Sequence, residues 1–341
     1  MEKTIKKYAK LEDNNTNSGF VILKNQLSID NYTKTVKKVV DLEETKKILK
    51  KNNAIFKGYK NSRGLIGAAA SIAWSSKADK TFELISYRNK EKWGKKRFVD
   101  DSSTITIDKK IKSTFDNYDY ANNHNRLVPN SPCPVLFGIR GENISDLIKA
   151  KSLIKSEEID SWIIFETNQG TDNHLQKKKI VEIKPYESVI VKGTVMKKPI
   201  TIEGGHVIFE LKDPSGRIDC AAYEPTKEFR NLVRELEIGD KVEVYGGVRK
   251  KPLTINLEKI RIIHLEEKFK KIENPICPNC GKHMKSIGKN QGYRCKKCKI
   301  KSNKPIYQKI KRNLKVGFYE TPVCARRHLS KPLKRYNHKP F

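Results

Sequence analysis

The sequence predicts an α+β protein, with a mixed region of helices and strands, a small β-barrel, a cysteine-rich module and a basic C-terminal tail. Three observations support this architecture. Helix and strand patterns alternate through the first half, five strand patterns with one helix between them follow, and two Cys-x-x-Cys pairs come next. At 341 residues, the chain is long enough for two or three domains.

The charge of the chain is strongly one-sided. Lys and Arg number 71 against 39 Asp and Glu, which gives a formal net charge of +32. A solvated lysine-rich surface would explain this excess, but not the segment from Lys282 to Phe341, where Glu320 is the single acidic residue. A cationic cluster of this kind favours a polyphosphate partner such as nucleic acid.

The composition also limits the compartment. No apolar run is long enough to cross a bilayer, so no membrane contact is expected. Seven cysteines, four of them in the two pairs, favour the reducing cytoplasm over a disulfide framework.

The mixed region carries a recognisable order of elements. Residues 1–19 are polar and predict a loop, whereas Asp41 followed by Glu44 is typical of the start of a helix, which is expected to run through Leu49. No elements are assigned to 98–130. The other patterns predict, in chain order, a helix in Asn61–Trp74, a strand over Thr81–Tyr87, a strand over Val135–Ile139, a helix over Ile144–Ile154 and a strand over Ser161–Thr167. This order predicts a ferredoxin-like domain over 31–180.

The second region predicts an OB-fold barrel over 186–266, because five strands have a helix between the third and the fourth. The strands are expected at Tyr186–Met196, His206–Leu211, Arg217–Tyr223, Lys241–Val248 and Thr254–Leu265, and the helix at Pro225–Leu236. OB-folds bind nucleic acid through aromatic rings and cations on one face. The candidates for that face are Lys192, His206, Phe209, Arg217, Tyr223, Tyr245 and Arg249. The alternative is that Phe209 and Tyr223 alternate into the barrel core.

The cysteine pairs predict a zinc ribbon over 272–304. Cys277, Cys280, Cys295 and Cys298 have the spacing of two knuckles that present four thiolates to one zinc ion. Gly281 and Gly292 stand where tight turns are needed. Four thiolates leave no open position, so the zinc would be structural; a redox dithiol is the less favoured alternative.

Two further segments could bind a ligand. The loop after the last strand of the mixed region offers Asn168, Gln169, Asp172 and His174, which could hold a base edge or a polar ligand, although a solvated turn is the simpler interpretation. Arg63 and Gly64 could cradle a phosphate at a helix start. No Walker motif, nucleophile elbow or Cys/His pair is present, so catalytic residues remain unassigned.

Collinear stretches along nearly the whole chain resemble the archaeal isoleucine-tRNA 2-agmatinylcytidine synthetase family. They are Asn14–Asn17, Asn61–Ala68, Cys133–Gly141, Thr167–Asp172, Glu203–Phe209, Ile218–Pro225, the four cysteines and Ala325–Pro332. The resemblance implies ATP-dependent joining of agmatine to the wobble cytidine of isoleucine tRNA, with magnesium holding the triphosphate. It implies isoleucine tRNA, agmatine and ATP as partners. Arg326 and Arg327, in the basic tail at 305–341, are then expected to contact tRNA.

One departure from the family shapes the prediction. Its members begin with a kinase domain that carries an acidic loop of the Gly-Ile-Asp-Asp-Thr-Asp type, and this sequence contains no such motif. Residues 1–30 are therefore expected to be a remnant of that domain, with a separate kinase polypeptide as one possible partner. The alternative function is a single-stranded nucleic-acid-binding protein that pairs an OB-fold with a zinc ribbon and catalyses nothing.

Overall fold

The computed structural model describes residues 1–9, 11–77 and 79–336. Three packed regions follow one another along the chain, and the cysteine module extends from the third. Among the described residues, no helix has the length and apolar character needed to cross a membrane.

The first region is a small α/β unit. Its elements are α1 (Glu2–Tyr8), β1 (Gly19–Ile22), α2 (Ile29–Lys37), α3 (Leu42–Lys51), β2 (Ile55–Gly58) and α4 (Gly64–Ala73). The strands β1 and β2 are antiparallel, and the helices enclose a core that includes Leu27, Tyr32 and Leu49. Elements on both sides of residue 30 share this core.

Local signals explain part of this unit. The Asp41 carboxylate accepts hydrogen bonds from the amides of Glu43 and Glu44, so the predicted helix start is confirmed. The prediction of a loop over residues 1–19 is wrong for α1. No residue of α1 is buried, so its sequence shows no apolar face that would have indicated a helix. Gly64 lets α4 approach the chain before β1, because a Cβ there would lie 2.4 Å from the Asn17 carbonyl oxygen.

The second region is an antiparallel sheet with helices on one face. Its elements are β3 (Thr81–Arg88), α5 (Asp101–Lys110), β4 (Thr114–Phe115), β5 (Tyr118–Asp119), β6 (His124–Asn125), β7 (Val135–Gly141), α6 (Ile144–Leu153) and β8 (Ile159–Thr167). The strand order is β4-β7-β3-β8, and β5 pairs with β6 as a hairpin inserted before β7. The three strands and the helix predicted here are confirmed.

The two faces of this sheet differ. Leu84, Ile139 and Leu147 belong to the core beneath α5 and α6. Because side chains alternate along a strand, Glu83 and Ile85 of β3 point to the opposite face. The register places Phe165 of β8 and Arg140 of β7 on either side of Glu83. This second face, which the two helices leave uncovered, is called the open face.

The third region is a closed barrel. Its elements are β9 (Leu175–Lys177), β10 (Ser188–Val195), β11 (Ile200–Thr201), β12 (Val207–Asp213), β13 (Gly216–Ala222), α7 (Phe229–Arg234), β14 (Lys241–Arg249) and β15 (Thr254–His264). The path β12-β13-β15-β14-β10 closes through the pairing of β10 with β12. The predicted five strands, with a helix between the third and the fourth, are confirmed.

The remaining strands leave the barrel and return to it. They are β16 (Lys268–Glu273), β17 (Lys285–Ser286), β18 (Tyr293–Arg294), β19 (Lys301–Ser302), β20 (Ile306–Ile310) and β21 (Gly317–Glu320). β16 and β20 form an antiparallel stalk that carries the three-stranded cysteine module β17-β18-β19. β21 then adds to β15 of the barrel. Up to Tyr336, the predicted basic tail is thus folded back onto the protein.

Candidate functional site

The four predicted metal ligands converge. The sulfur atoms of Cys277, Cys280, Cys295 and Cys298 all lie within 4.8 Å of one another. A tetrahedral zinc site with bonds of about 2.3 Å needs sulfur atoms about 3.8 Å apart, and the Cys280 and Cys295 sulfurs lie 3.5 Å apart. The donor set and spacing therefore fit zinc, with no position left for a substrate.

The two knuckles have the same backbone geometry. The amide of Gly281 donates to the Cys277 carbonyl, and the amide of Lys299 donates to the Cys295 carbonyl, both at 2.9 Å. Both turn residues have positive φ, 65° for Gly281 and 60° for Lys299. The predicted turn glycine at 281 thus has a physical reason, while the matching conformation at Lys299 has no sequence signal.

A cleft of about 580 Å³ lies between α2, α4 and the open face. Tyr32, Trp74 and Phe165 form its aromatic walls, and Glu83 and Gln169 supply polar atoms; these five residues define the aromatic cleft. Gln169 donates from Nε2 to Glu83 Oε2 at 2.6 Å, while its own Oε1 is buried without a partner among the described residues. The cleft can therefore accept hydrogen bonds beside aromatic faces, which suits a cationic ligand.

The predicted ligand loop divides into two halves. Asn168 and Gln169 line the aromatic cleft, and Asn168 donates to the Tyr32 hydroxyl at 2.9 Å. The Asp172 carboxylate instead forms an ion pair with Lys259, with Oδ2 2.6 Å from Nζ. His174 is buried, with Nε2 3.0 Å from Glu258 Oε2. Both side chains are thus engaged by contacts inside the protein, which disfavours the ligand roles predicted for Asp172 and His174.

The segment from Thr321 to Tyr336, called the C-terminal strap, crosses from the barrel to the second region. It is held by ion pairs to widely separated carboxylates: Arg326 with Asp116 and Glu320, Arg327 with Glu258, Lys331 with Asp79, and Arg335 with Asp79 and Glu142. Although burial acts in the opposite direction, hydrogen bonds from Lys331 and Arg335 lower the pKa of Asp79. The Arg326 side chain is only 7% exposed and already paired, which disfavours the tRNA contact predicted for it.

A second cleft of about 470 Å³ lies between the open face and the strap. Arg126, Arg140, Arg327 and His328 line it together with the carboxylates of Glu83 and Asp116; these six residues define the cationic cleft. Partial burial and the neighbouring Arg140 guanidinium lower the pKa of His328. Glu83 and Ile85 line both clefts, so the two are adjacent on one sheet face.

The candidates on the barrel separate into buried and exposed residues. Phe209 is 1% exposed in the barrel core, and Tyr245 is 7% exposed with its hydroxyl donating to Glu243 at 2.5 Å. This burial disfavours the nucleic-acid contacts predicted for these two residues and supports the alternative that Phe209 lies in the barrel core. Lys192 and Arg217 are exposed, although Arg217 pairs with Glu210.

Three of the barrel candidates form one cluster. The rings of His206 and Tyr223 meet edge to face at 5.1 Å, and Arg249 donates to the Tyr223 hydroxyl at 3.4 Å. Neither ring is fully buried, so a base could stack here beside a cation.

The predicted phosphate cradle at Arg63 and Gly64 is not present. The Gly64 amide donates to the Asn17 carbonyl at 2.8 Å, and the amides of Leu65 and Ile66 donate to the carbonyls of Ser62 and Arg63. These N–H groups are therefore not free for a phosphate. The Arg63 side chain lines a different surface cleft beside Asp41.

Several residues of the clefts were missed from the sequence. Strand alternation could have indicated that Glu83 and Ile85 share a face, and the pairing register then adds Arg140 and Phe165. Tyr32 and Trp74 come from a different unit, and no local pattern brings them to this sheet. Arg126 lies in the segment for which no elements were predicted.

Three family profiles match the chain: "TiaS FLD domain" over 62–174, "OB-fold nucleic acid binding domain" over 189–263 and "TiaS C-terminal zinc ribbon domain" over 274–314. The isoleucine-tRNA 2-agmatinylcytidine synthetase TiaS of Methanocaldococcus jannaschii is 48% identical over 97% of this chain and 79% of its own length.

Two solved structures are also similar. The complex of TiaS with isoleucine tRNA and ATP superposes with a TM-score of 0.89 at 42% identity, covering 99% of this chain and 80% of that one. The complex of TiaS with isoleucine tRNA, AMPCPP and agmatine superposes with a TM-score of 0.80 at 41% identity, covering 91% of this chain and 73% of that one.

These matches leave two predictions without support. They do not bear out the expected loss of most of a kinase domain; the M. jannaschii relative aligns over 97% of this chain and 79% of its own length. A separate kinase polypeptide as a partner is likewise not supported.

Proposed function

Because the chain belongs to the isoleucine-tRNA 2-agmatinylcytidine synthetase family, we propose that it joins agmatine to the wobble cytidine of isoleucine tRNA in an ATP-dependent reaction. It acts as a ligase in the cytoplasm, where tRNA and ATP are available. The βαββαβ order of the second region and its β4-β7-β3-β8 sheet support a ferredoxin-like assignment for that domain. The two clefts then lie on its open face.

The aromatic cleft is the observation that carries this proposal. Agmatine has a primary amine at one end and a guanidinium at the other, joined by an apolar four-carbon chain. The rings of Trp74 and Phe165 offer faces for the cation and the methylenes. The free Gln169 Oε1 and the Glu83 carboxylate offer acceptors for its N–H groups. An apolar-walled cleft with few polar atoms is the usual form of a small-ligand site.

The RNA surface is proposed to extend from this cleft along the barrel. The His206, Tyr223 and Arg249 cluster can stack a base next to a cation, and Lys192 and Arg217 add positive charge on the barrel. The cysteine module supplies further cations, and zinc holds its fold without taking part in the reaction.

ATP would supply the chemistry that turns the 2-oxygen of cytosine into a leaving group, so that an amine can displace it. Among the described residues, the cysteine cluster is the only group of three or more Cys, His, Asp or Glu side chains that could hold a metal.

The test is agmatine incorporation into isoleucine tRNA by the purified chain, with and without ATP. Trp74→Leu and Phe165→Leu are expected to raise the KM for agmatine about 3- to 30-fold, the range that corresponds to loss of a cation–π contact, while tRNA affinity stays unchanged. Trp162→Leu is the matched control, because Trp162 lies on the helix-covered side beneath Lys151. Absence of ATP-dependent incorporation by the wild type would refute the function. An unchanged KM in both cleft variants would refute the site.

A further inference from the structure

We propose that the cationic cleft binds a phosphodiester group of the tRNA backbone next to the target cytidine, with Arg126 as its principal contact. The inference rests on the proposed function and adds a substrate-positioning subsite to it. The cleft lies on the same sheet face as the aromatic cleft and shares Glu83 and Ile85 with it. An amine and the RNA that receives it must meet, so adjacent sites for both are required.

The charges of the cleft point to one free cation. Arg140 Nε pairs with Glu83 at 3.0 Å, and Arg327 Nη1 pairs with Glu258 at 2.8 Å. Arg326, which also lines the cleft, is held by Asp116 and Glu320. Within the described residues, the guanidinium of Arg126 has no hydrogen bond or ion pair. An arginine fork in this state can take a phosphate bidentately at no cost in broken ion pairs.

The remaining walls suit a nucleotide. Leu127, Val135 and Val323 supply apolar surface for a ribose or base, and Asn130 supplies an amide. The volume of about 470 Å³ lies within the usual range of small-ligand sites, about 300–1,000 Å³. Arginines outnumber the carboxylates that line the cleft, so its field attracts an anion.

Glu83 connects the two clefts. Its Oε1 accepts from Arg140 on the cationic side, and its Oε2 accepts from Gln169 on the aromatic side. A phosphate held by Arg126 would therefore place the adjoining nucleoside within reach of the aromatic cleft. This arrangement makes Arg126 a positioning residue, because it holds the substrate backbone and does not touch the reacting atoms.

Arg126→Met tests the inference, since it removes the charge and keeps the length of the side chain. We expect isoleucine-tRNA affinity to fall about 5-fold or more and the salt dependence of log K to lose a slope of about 0.7, the value for one phosphate of a single strand. Arg126→Lys should recover most of the affinity. Lys110→Met is the control, since Lys110 is exposed on α5, on the other face of the sheet.

Neutral methylphosphonate linkages, placed singly at the positions that flank the target cytidine, supply the second measurement. At one of these positions, the linkage should weaken tRNA binding by the wild type. The same linkage should not weaken binding by Arg126→Met any further, because that variant already lacks the phosphate contact. The inference is overturned if Arg126→Met keeps the wild-type affinity and salt slope. It is also overturned if every linkage lowers the tRNA affinity of both proteins equally. The wild-type incorporation assay reports separately on the proposed function, because it does not depend on this variant.

Discussion

The Lys259 ammonium of the barrel lies 2.6 Å from the Asp172 carboxylate in the loop after β8, with the Lys259 side chain 0% exposed. The Lys331 carbonyl and the Tyr336 hydroxyl complete the surroundings of this ammonium. Burial lowers the pKa of Lys259, and the charge of Asp172 acts in the opposite direction. One buried ion pair thus joins the barrel, the loop that begins at the aromatic cleft, and the C-terminal strap.

Removal of the carboxylate from this buried pair should destabilise the folded protein. In Asp172→Asn, a buried ammonium loses its counter-charge, and we expect the free energy of unfolding to fall by about 3–5 kcal/mol. Lys259→Met should cost less, because Asp172 keeps its hydrogen bond from the Lys331 amide. Urea denaturation measures both, with Glu43→Gln in the exposed pair with Lys46 as a control expected to change by about 0.5 kcal/mol or less. Equal losses in all three would contradict the burial argument.

Glu320 makes the pH dependence of the strap testable. Burial raises the pKa of Glu320, although Arg326 acts against this shift. A carboxyl with a raised folded pKa contributes stability at low pH and loses it as the pH rises from 4.5 through that pKa. The melting temperature of Glu320→Gln relative to that of the wild type should therefore be higher at pH 7 than at pH 5. A relative melting temperature that rises as the pH falls would contradict the sign.

The comparison of these contacts with the sequence shows where prediction stops. The cysteine spacing and the barrel strands were predictable, since both depend on local periodicity. The burial of Phe209 was also predictable, because Val207, Phe209 and Leu211 alternate with more exposed residues and all three are buried. The burial of Tyr245 was not predictable, because the register of β14 shifts between Tyr245 and Gly246, and this β-bulge breaks the alternation.

The strap shows a different limit. Its arginines resemble the rest of a basic segment, and only the tertiary fold brings Asp116 to Arg326 and Asp79 to Arg335. A charge pattern indicates how many cations a segment has, but not which of them are neutralised within the protein. The same limit hid Arg126, whose importance comes from the absence of such a partner among the described residues.

Loss of the metal should unfold the cysteine module and leave the rest folded. Cys280→Ser removes one of four thiolates, and such modules derive about 10–16 kcal/mol from metal binding. We expect metal content to fall from about one zinc per chain to well below one, with weaker tRNA binding, because the cations of the module are no longer held together. Cys133→Ser is the matched control outside the cluster and should retain the metal. Elemental analysis with filter binding measures both, and a fully loaded Cys280→Ser protein would contradict the four-thiolate site.

Base stacking on the barrel can be tested at Tyr223. Its ring lies against His206 and its hydroxyl accepts from Arg249, so Tyr223→Leu removes the flat surface from the cluster while leaving both neighbours in place. Stacking of one base contributes about 1–3 kcal/mol, so tRNA affinity should fall about 5- to 150-fold. Tyr120→Leu, at an exposed position in the second region, should bind as the wild type does. Because stacking is not electrostatic, the slope of log K against log salt should stay constant in Tyr223→Leu, whereas a reduced slope would mean that the ring acts by orienting Arg249 towards a phosphate.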